Sequence, residues 1–288
     1  MLRAACTAVL SALAVLTMGG ASRVHAETTA CDATIASAPY TIGKPGIYCV
    51  VAPLSYGWWN PITIESSDVV LDFNGYSLSY TGNSATSRGV GSEAGVSNVT
   101  IKNGTIRGFN YGILLWASDS LVEDMRLEEN MSVGVSMLGT GNIVRHNHVI
   151  NPGRGTDGSA KGIHLTGAGN RVLDNDIIET DHETPGVAGS GTHSLIGIVI
   201  DSNGLPDPSN DVVVVEGNRI STYDLNTKGD KGIVTWGNGT DNLIVNNRLQ
   251  RLEYGIYIYN NGTAKYRDNL TIGVAIPFTG GMDAGNNN

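Results

Sequence analysis

The sequence predicts an all-β chain, a single-domain right-handed parallel β-helix with a disulfide-stapled N-terminal cap, on three observations. One short unit recurs, since NVTIKNGTIRGFNYGILLW, SLVEDMRLEENMSVGVSML and NIVRHNHVINPGRGTDGSAKGIHLT follow one another between Asn98 and Thr166. A glycine opens the third strand of each unit, at Gly89, Gly112, Gly134, Gly162, Gly197, Gly232 and Gly255. The intervals of 23, 22, 28, 35, 35 and 23 residues give a basal period in the solenoid range, lengthened by insertions. Within a unit, apolar and polar residues alternate, as Ile163 and Leu165 do against His164 and Thr166, which is the period of a strand. A leucine-rich repeat has a similar period, but its Leu-rich consensus and its helical segment are absent.

Taken from the start, residues 1–26 read as an export leader: Arg3 is the charged flank, Ala4 to Met18 the apolar run, and Val24-His25-Ala26 a small-residue cleavage site. The apolar run is too short to span a membrane. Cleavage after Ala26 removes Cys6 and leaves Cys31 and Cys49, which are expected to pair in an oxidising compartment and to contribute roughly 3 kcal/mol. Residues 27–66 form the expected cap, in which residues 41–48 read as strand, turn, strand. Trp58-Trp59-Asn60-Pro61 is an aromatic pair at a turn, expected to pack over the first coil, with a sugar platform as the alternative. The β-helix is expected over 67–278 and a flexible Gly/Asn-rich tail over 279–288.

Charge narrows the partners. The chain carries 18 basic and 27 acidic residues, a net charge of −9, and loss of Arg3 and Arg23 with the leader makes the balance more acidic still. That surface disfavours nucleic acid and anionic membranes, and favours a monomer. Six Asn-x-Ser/Thr triplets, at Asn98, Asn103, Asn130, Asn238, Asn261 and Asn269, fall mostly in repeat turns and read as fold chemistry.

In the turn between the first two strands of a unit, Asn147, Asn175, Asn218 and Asn247 occupy one slot, held by Gly104 and Met125 in earlier units. Asn tolerates the left-handed backbone of a tight turn, and stacked amides hydrogen-bond as a ladder. With these repeats, residues 68–272 resemble the bacterial secreted right-handed parallel β-helix proteins of the pectate-lyase-like superfamily. The resemblance implies export to the periplasm or beyond. It leaves the activity open, because that superfamily includes lyases, hydrolases, epimerases, adhesins and metal-delivery proteins.

Insertions indicate the working face. The long loops, Asn151 to Ala160, Asp181 to Leu195 and Tyr223 to Asp230, all precede the Gly-Ile strand, and Ser202 to Ser209 follows it, so a groove is expected over that sheet. Counted by two, its outward residues form a column of Leu114, Ser136, His164, Val199, Val234 and Tyr257. A second column holds Trp116, Leu138, Thr166, Asp201, Trp236 and Tyr259. Aromatic faces with a few polar groups suit sugar rings, so Trp116, Trp236, Tyr257, Tyr259 and Lys231 are the expected substrate-binding residues.

Titratable residues gather where the loops converge: Arg154, Asp157, Lys161 and His164 in one coil, Asp181, His182, His193 and Asp201 in the next. β-Elimination of a uronate polymer needs a base for the proton beside the carboxylate and a cation to neutralise that carboxylate. Lys161, His164 and Arg154 are the expected catalytic groups, and Asp157, Asp181 and Asp201 candidate calcium ligands. Hydrolysis needs paired carboxylates, whereas Glu93 lies four coils from Asp201, roughly 19 Å; Asp181 or Glu183 would have to complete a pair. The sequence therefore points to a lyase or epimerase acting on an acidic polysaccharide. Two other readings stay open: a non-catalytic carbohydrate-binding module, and metal delivery through the groove histidines. His146 and His148 flank the Asn turn, away from the groove.

Overall fold

The computed structural model describes residues 30–153, 159–179, 194–202, 212–223, 229–237, 241–259 and 263–288. Every described strand pairing is parallel, and the chain winds as a solenoid. One face is a ten-stranded sheet of Tyr40–Ile42, Ile62–Ile64, Arg88–Ser92, Tyr111–Leu115, Val133–Leu138, Ser159–Thr166, Ser194–Asp201, Lys231–Trp236, Tyr254–Ile258 and Ile276–Thr279. Two further ladders merge into an 18-stranded sheet, because Val99–Arg107 and Leu121–Glu128 run unbroken through the turn that divides the ladders elsewhere. Inward residues such as Ile163, Leu165, Ile198 and Ile233 are fully buried, so the core is one apolar column along the axis.

The repeated glycines have a steric cause. Gly112, Gly134, Gly162, Gly197 and Gly232 lie over one another, and a Cβ on Gly162 would sit 2.5 Å from Gly197 O and 2.8 Å from Ile177 Cγ2. The same collision recurs at Gly112, 2.6 Å from Gly134 O, and at Gly134, 2.7 Å from Gly162 O. Only a residue without a side chain lets the coils close at this point.

The asparagine ladder runs from Asn147 to Asn287. Asn147 Nδ2 donates to Asn175 Oδ1, Asn175 to Asn218, Asn218 to Asn247 and Asn247 to Asn269, each at 3.0 Å, and Asn269 to Asn287 at 3.1 Å. Each acceptor oxygen also takes the backbone N–H of the coil before, as Asn175 Oδ1 does from Asn147 N at 3.0 Å. The left-handed backbone falls one residue earlier than expected, on Asp124, His146, Asp174, Asn246 and Asp268, with φ between 52° and 56°. The ladder asparagines are thus selected for their amides, and the preceding residue makes the turn. A second set stacks at the next corner, where Asn142 N donates to Asn170 Oδ1 at 2.8 Å and Ser120 N to Asn142 Oδ1 at 3.1 Å.

At the N-terminus Cys31 and Cys49 form a disulfide across 18 residues, beside the pairing of Ala33–Ile35 with Gly46–Val50. The strands of the segment read as a cap already pair in parallel with the coils that follow, Tyr40–Ile42 with Ile62–Ile64 and Gly46–Val50 with Val69–Asp72. Trp58 and Trp59 are 73% and 65% exposed, so the expected packing over the first coil is not found. At the other end Met282–Asp283 pairs with Lys265–Arg267, and Asn287 closes the ladder. Residues 1–29, with the expected leader, lie outside the described residues. No helix among the described residues is long and apolar enough to cross a membrane.

Candidate functional site

The outer face of the ten-stranded sheet carries the expected columns in register. Leu114 pairs with Ser136, Ser136 with His164, His164 with Val199, Val199 with Val234 and Val234 with Tyr257; beside them run Leu138, Thr166, Asp201 and Trp236. A third outward column of Val133, Lys161, Ile196, Lys231 and Tyr254 was not legible by counting in twos. The alternation breaks at the glycine: Gly162 and Ile163 both face the core, so Lys161 and His164 both face out.

Four expected residues meet here. His164 Nδ1 lies 3.3 Å from Ser136 Oγ, and its Nε2 lies 3.7 Å from Asp201 Oδ2 in the next coil. Val199, directly below His164, offers no polar atom, so the imidazole engages the diagonal neighbour instead. Lys161 extends across the sheet to place Nζ 5.3 Å from the Trp236 ring centroid. Burial pushes the Lys161 ammonium below the ordinary lysine range, and the Asp201 carboxylate offsets part of that shift.

The Ser136–His164–Asp201 row is not built as a nucleophilic triad. Ser136 is 1% exposed, whereas an attacking hydroxyl must face the substrate. Both imidazole nitrogens face protein groups, and Nε2 is itself buried. The row instead sets His164 between Ser136 and the Asp201 carboxylate, with Nε2 3.7 Å from Oδ2, beyond hydrogen-bond distance.

Next to this cluster the sheet carries an apolar patch. Ile196, Val199 and Val234 are buried beneath Trp236, Tyr257 and Tyr259 although they point away from the core. Tyr257 lies 4.4 Å from Tyr259 and 5.1 Å from Tyr254, centroid to centroid. Lys231 turns away from the cluster: Nζ donates to Gly229 O at 2.9 Å and lies 5.4 Å from the Tyr254 ring. Trp116 stands four coils from Trp236, roughly 19 Å along the axis, beneath the Arg88 guanidinium at 4.6 Å.

Arg154, Asp157 and Asp181 lie outside the described residues, as do His182, Glu183 and His193 and most of the expected groove walls. Of the three expected calcium ligands only Asp201 is described, and it faces His164 and Lys161. No group of three or more His, Cys, Asp or Glu that could hold a metal converges among the described residues. On the 18-stranded sheet, His146 and His148 face Asp174 and Asp176 of the next coil at 3.9 and 3.7 Å.

Solved structures similar to this chain include a pectin methylesterase in complex with a hexasaccharide, at 11% identity and a TM-score of 0.56, covering 83% of this chain and 84% of that one. Pectin methylesterase PemA from Erwinia chrysanthemi is similar at 12% identity and a TM-score of 0.55, with the same coverage. An alginate lyase from Paenibacillus sp. is similar at 16% identity and a TM-score of 0.47, covering 89% of this chain and 99% of that one. At such identities the first two show a shared fold. No curated protein sequence matches the chain. The family model described as the right handed beta helix region matches residues 88–287. With parallel coils, stacked glycines and an asparagine ladder through that span, the chain belongs to the right-handed β-helix family.

Proposed function

We propose that this is an exported, monomeric protein that holds an acidic, uronate-containing polysaccharide on the outer face of the ten-stranded sheet and acts on it as a lyase or epimerase. The observation that carries this reading is Lys161, an amine held below its ordinary pKa by burial, facing a carboxylate and lying over a tryptophan ring. A lysine so perturbed supplies neutral amine nearer physiological pH, which a general base requires. Lys161 takes the proton on the carbon beside the uronate carboxylate. In a lyase the C5 electron pair forms the C4=C5 double bond as the C4–O bond breaks, and the departing oxygen takes a proton from solvent; in an epimerase a proton from solvent is delivered to the opposite face of C5.

Asp201, beside His164, stabilises the ammonium that Lys161 becomes. Arg154 is assigned to the substrate carboxylate, and Trp116, Trp236, Tyr257, Tyr259 and Lys231 to the sugar rings. Calcium held by Asp157, Asp181 and Asp201 belongs to the same proposal, and a shift of the thermal midpoint with calcium chloride against EDTA reads it out.

The test is ultraviolet absorbance of unsaturated uronate on a panel of uronate polysaccharides, with deuterium uptake from D2O at C5 as the epimerase arm. Activity lost in Lys161→Met supports the assignment. No absorbance and no exchange on any polymer sinks the enzymatic reading. The second reading is a non-catalytic carbohydrate-binding module, favoured by the apolar patch under Trp236, Tyr257 and Tyr259, which is complete without any titratable group.

A further inference from the structure

The N-terminal end of the same face holds Trp58, Trp59, Asn60 and Arg88, which the reading above leaves unused, beside Trp116, which it assigns to the sugar rings. Arg88 begins the strand Arg88–Ser92 and runs along the sheet surface until its guanidinium lies 4.6 Å from the Trp116 ring centroid. It passes beside Gly91, where even a Cβ would make only ordinary contact, 3.5 Å from Arg88 Cδ and 3.6 Å from Asn60 Nδ2. Among the described residues the guanidinium has no hydrogen bond or ion pair, whereas Arg145 is held by Glu123 and Arg267 by Asp268. The turn before Ile62–Ile64 stands beside it, with Trp59 O accepting from Arg88 N at 2.8 Å. That turn presents Trp58 and Trp59, the most exposed large apolar side chains described, at 73% and 65%. Asn60 Oδ1 is buried there without a donor.

We infer that Trp58, Trp59, Arg88 and Trp116 form a second glycan platform, on which an acidic sugar segment stacks on the exposed indoles and places a carboxylate on Arg88. A guanidinium stacked on an indole keeps its in-plane N–H groups for a bidentate carboxylate. Two exposed indoles are a costly surface in water and suit the C–H faces of pyranose rings. The arrangement repeats that of Lys161 over Trp236: a cation immediately before the strand glycine lying over a tryptophan of the second outward column. The turn lies four coils from the strand of Lys161, roughly 19 Å, so one extended chain running along the axis engages both. This rests on the groove being a polysaccharide site, and it adds the direction of the chain and a minimum length.

The experiment is calorimetric titration of uronate oligomers of increasing length, in a Lys161→Met background that prevents turnover. Trp58→Ala/Trp59→Ala and Arg88→Gln are compared with that parent. Trp58 and Trp59 are exposed and Arg88 is half-buried, and an unchanged thermal midpoint checks that each variant keeps the fold. Affinity is expected to rise with length in the parent and to fall by about tenfold or more for long oligomers in the double variant, with short oligomers unaffected. Arg88→Gln is expected to lose affinity for uronate oligomers but not for carboxyl-reduced ones. Equal affinity of parent and double variant for long oligomers overturns the platform and leaves the groove reading standing. Failure of the parent to bind any length overturns both.

Discussion

Lys161 lies over the indole of Trp236 at 5.3 Å although the two belong to strands two coils apart. The contact crosses Ile196 and Val199, so the amine rests on an apolar floor with Asp201 as the carboxylate that raises its pKa. A cation placed this way is costly to the fold and useful to chemistry.

Lys161→Met is therefore expected to remove turnover while raising stability at neutral pH. With its folded pKa below the unfolded one, Lys161 binds fewer protons in the folded chain across the window between the two. Wild-type stability rises with pH through that window, and below it the full cost of the buried charge is present. Denaturant midpoints at neutral and alkaline pH read this out: the gain from Lys161→Met is largest at neutral pH and shrinks as pH rises. A variant destabilised at both would contradict the assignment.

Asp201→Asn removes the interaction that raises the Lys161 pKa, so the pKa falls further. If the neutral amine is the base, the acidic limb of the kcat/KM profile moves to lower pH, with a lower plateau because the ammonium loses its counter-charge. A limb that stays in place, or moves to higher pH, assigns the base elsewhere.

Asn175→Ala strikes the middle of the ladder. It takes away the acceptor of Asn147 N and Nδ2, and it leaves Val144 O without the Asn175 donor. Asn147 Nδ2 keeps Val122 O and Arg145 O, but the buried Asn147 N loses its acceptor, at a cost of about 1–3 kcal/mol. The expected result is a large drop in the urea midpoint. Asn287→Ala, at the partly exposed end of the ladder, is expected to cost clearly less.

Gly162→Ala introduces a Cβ 2.5 Å from Gly197 O, a backbone atom that cannot turn aside. Overpacking of this kind costs about 1–3 kcal/mol or more. Thermal unfolding by circular dichroism measures it. Gly91→Ala, which meets only side chains at 3.5 Å and beyond, is the tolerated control.

The fold was legible because its constraints repeat. Glycines at fixed intervals and asparagines in one slot are backbone and hydrogen-bond requirements, and each coil restates them. Two outward columns were legible for the same reason, since a strand alternates strictly until something interrupts it. What interrupts it is the very glycine that announces the coil, and Lys161, Ile196 and Lys231 lie just before it. Ser136 stood in the expected column, but its contact with His164 joins residues 28 apart and depends on side-chain direction, which period two does not encode. Trp58 and Trp59 were misread because an aromatic pair near a chain end is usually covered. Here the turn carries them outward.

The glycine column also makes the molecule modular. The strand pairing of each coil is only with the coil before and the coil after, so cohesion is largely a sum of neighbour terms. Excising residues 112–133 would join Tyr111 to Gly134, bring Gly134 into the place of Gly112 and leave every asparagine-to-asparagine bond of the ladder in place. The shortened chain is expected to fold with the same strand spectrum. Length in this protein is a count of turns on a screw, and the span of its outer face can change one turn at a time without disturbing Lys161, His164 or Asp201.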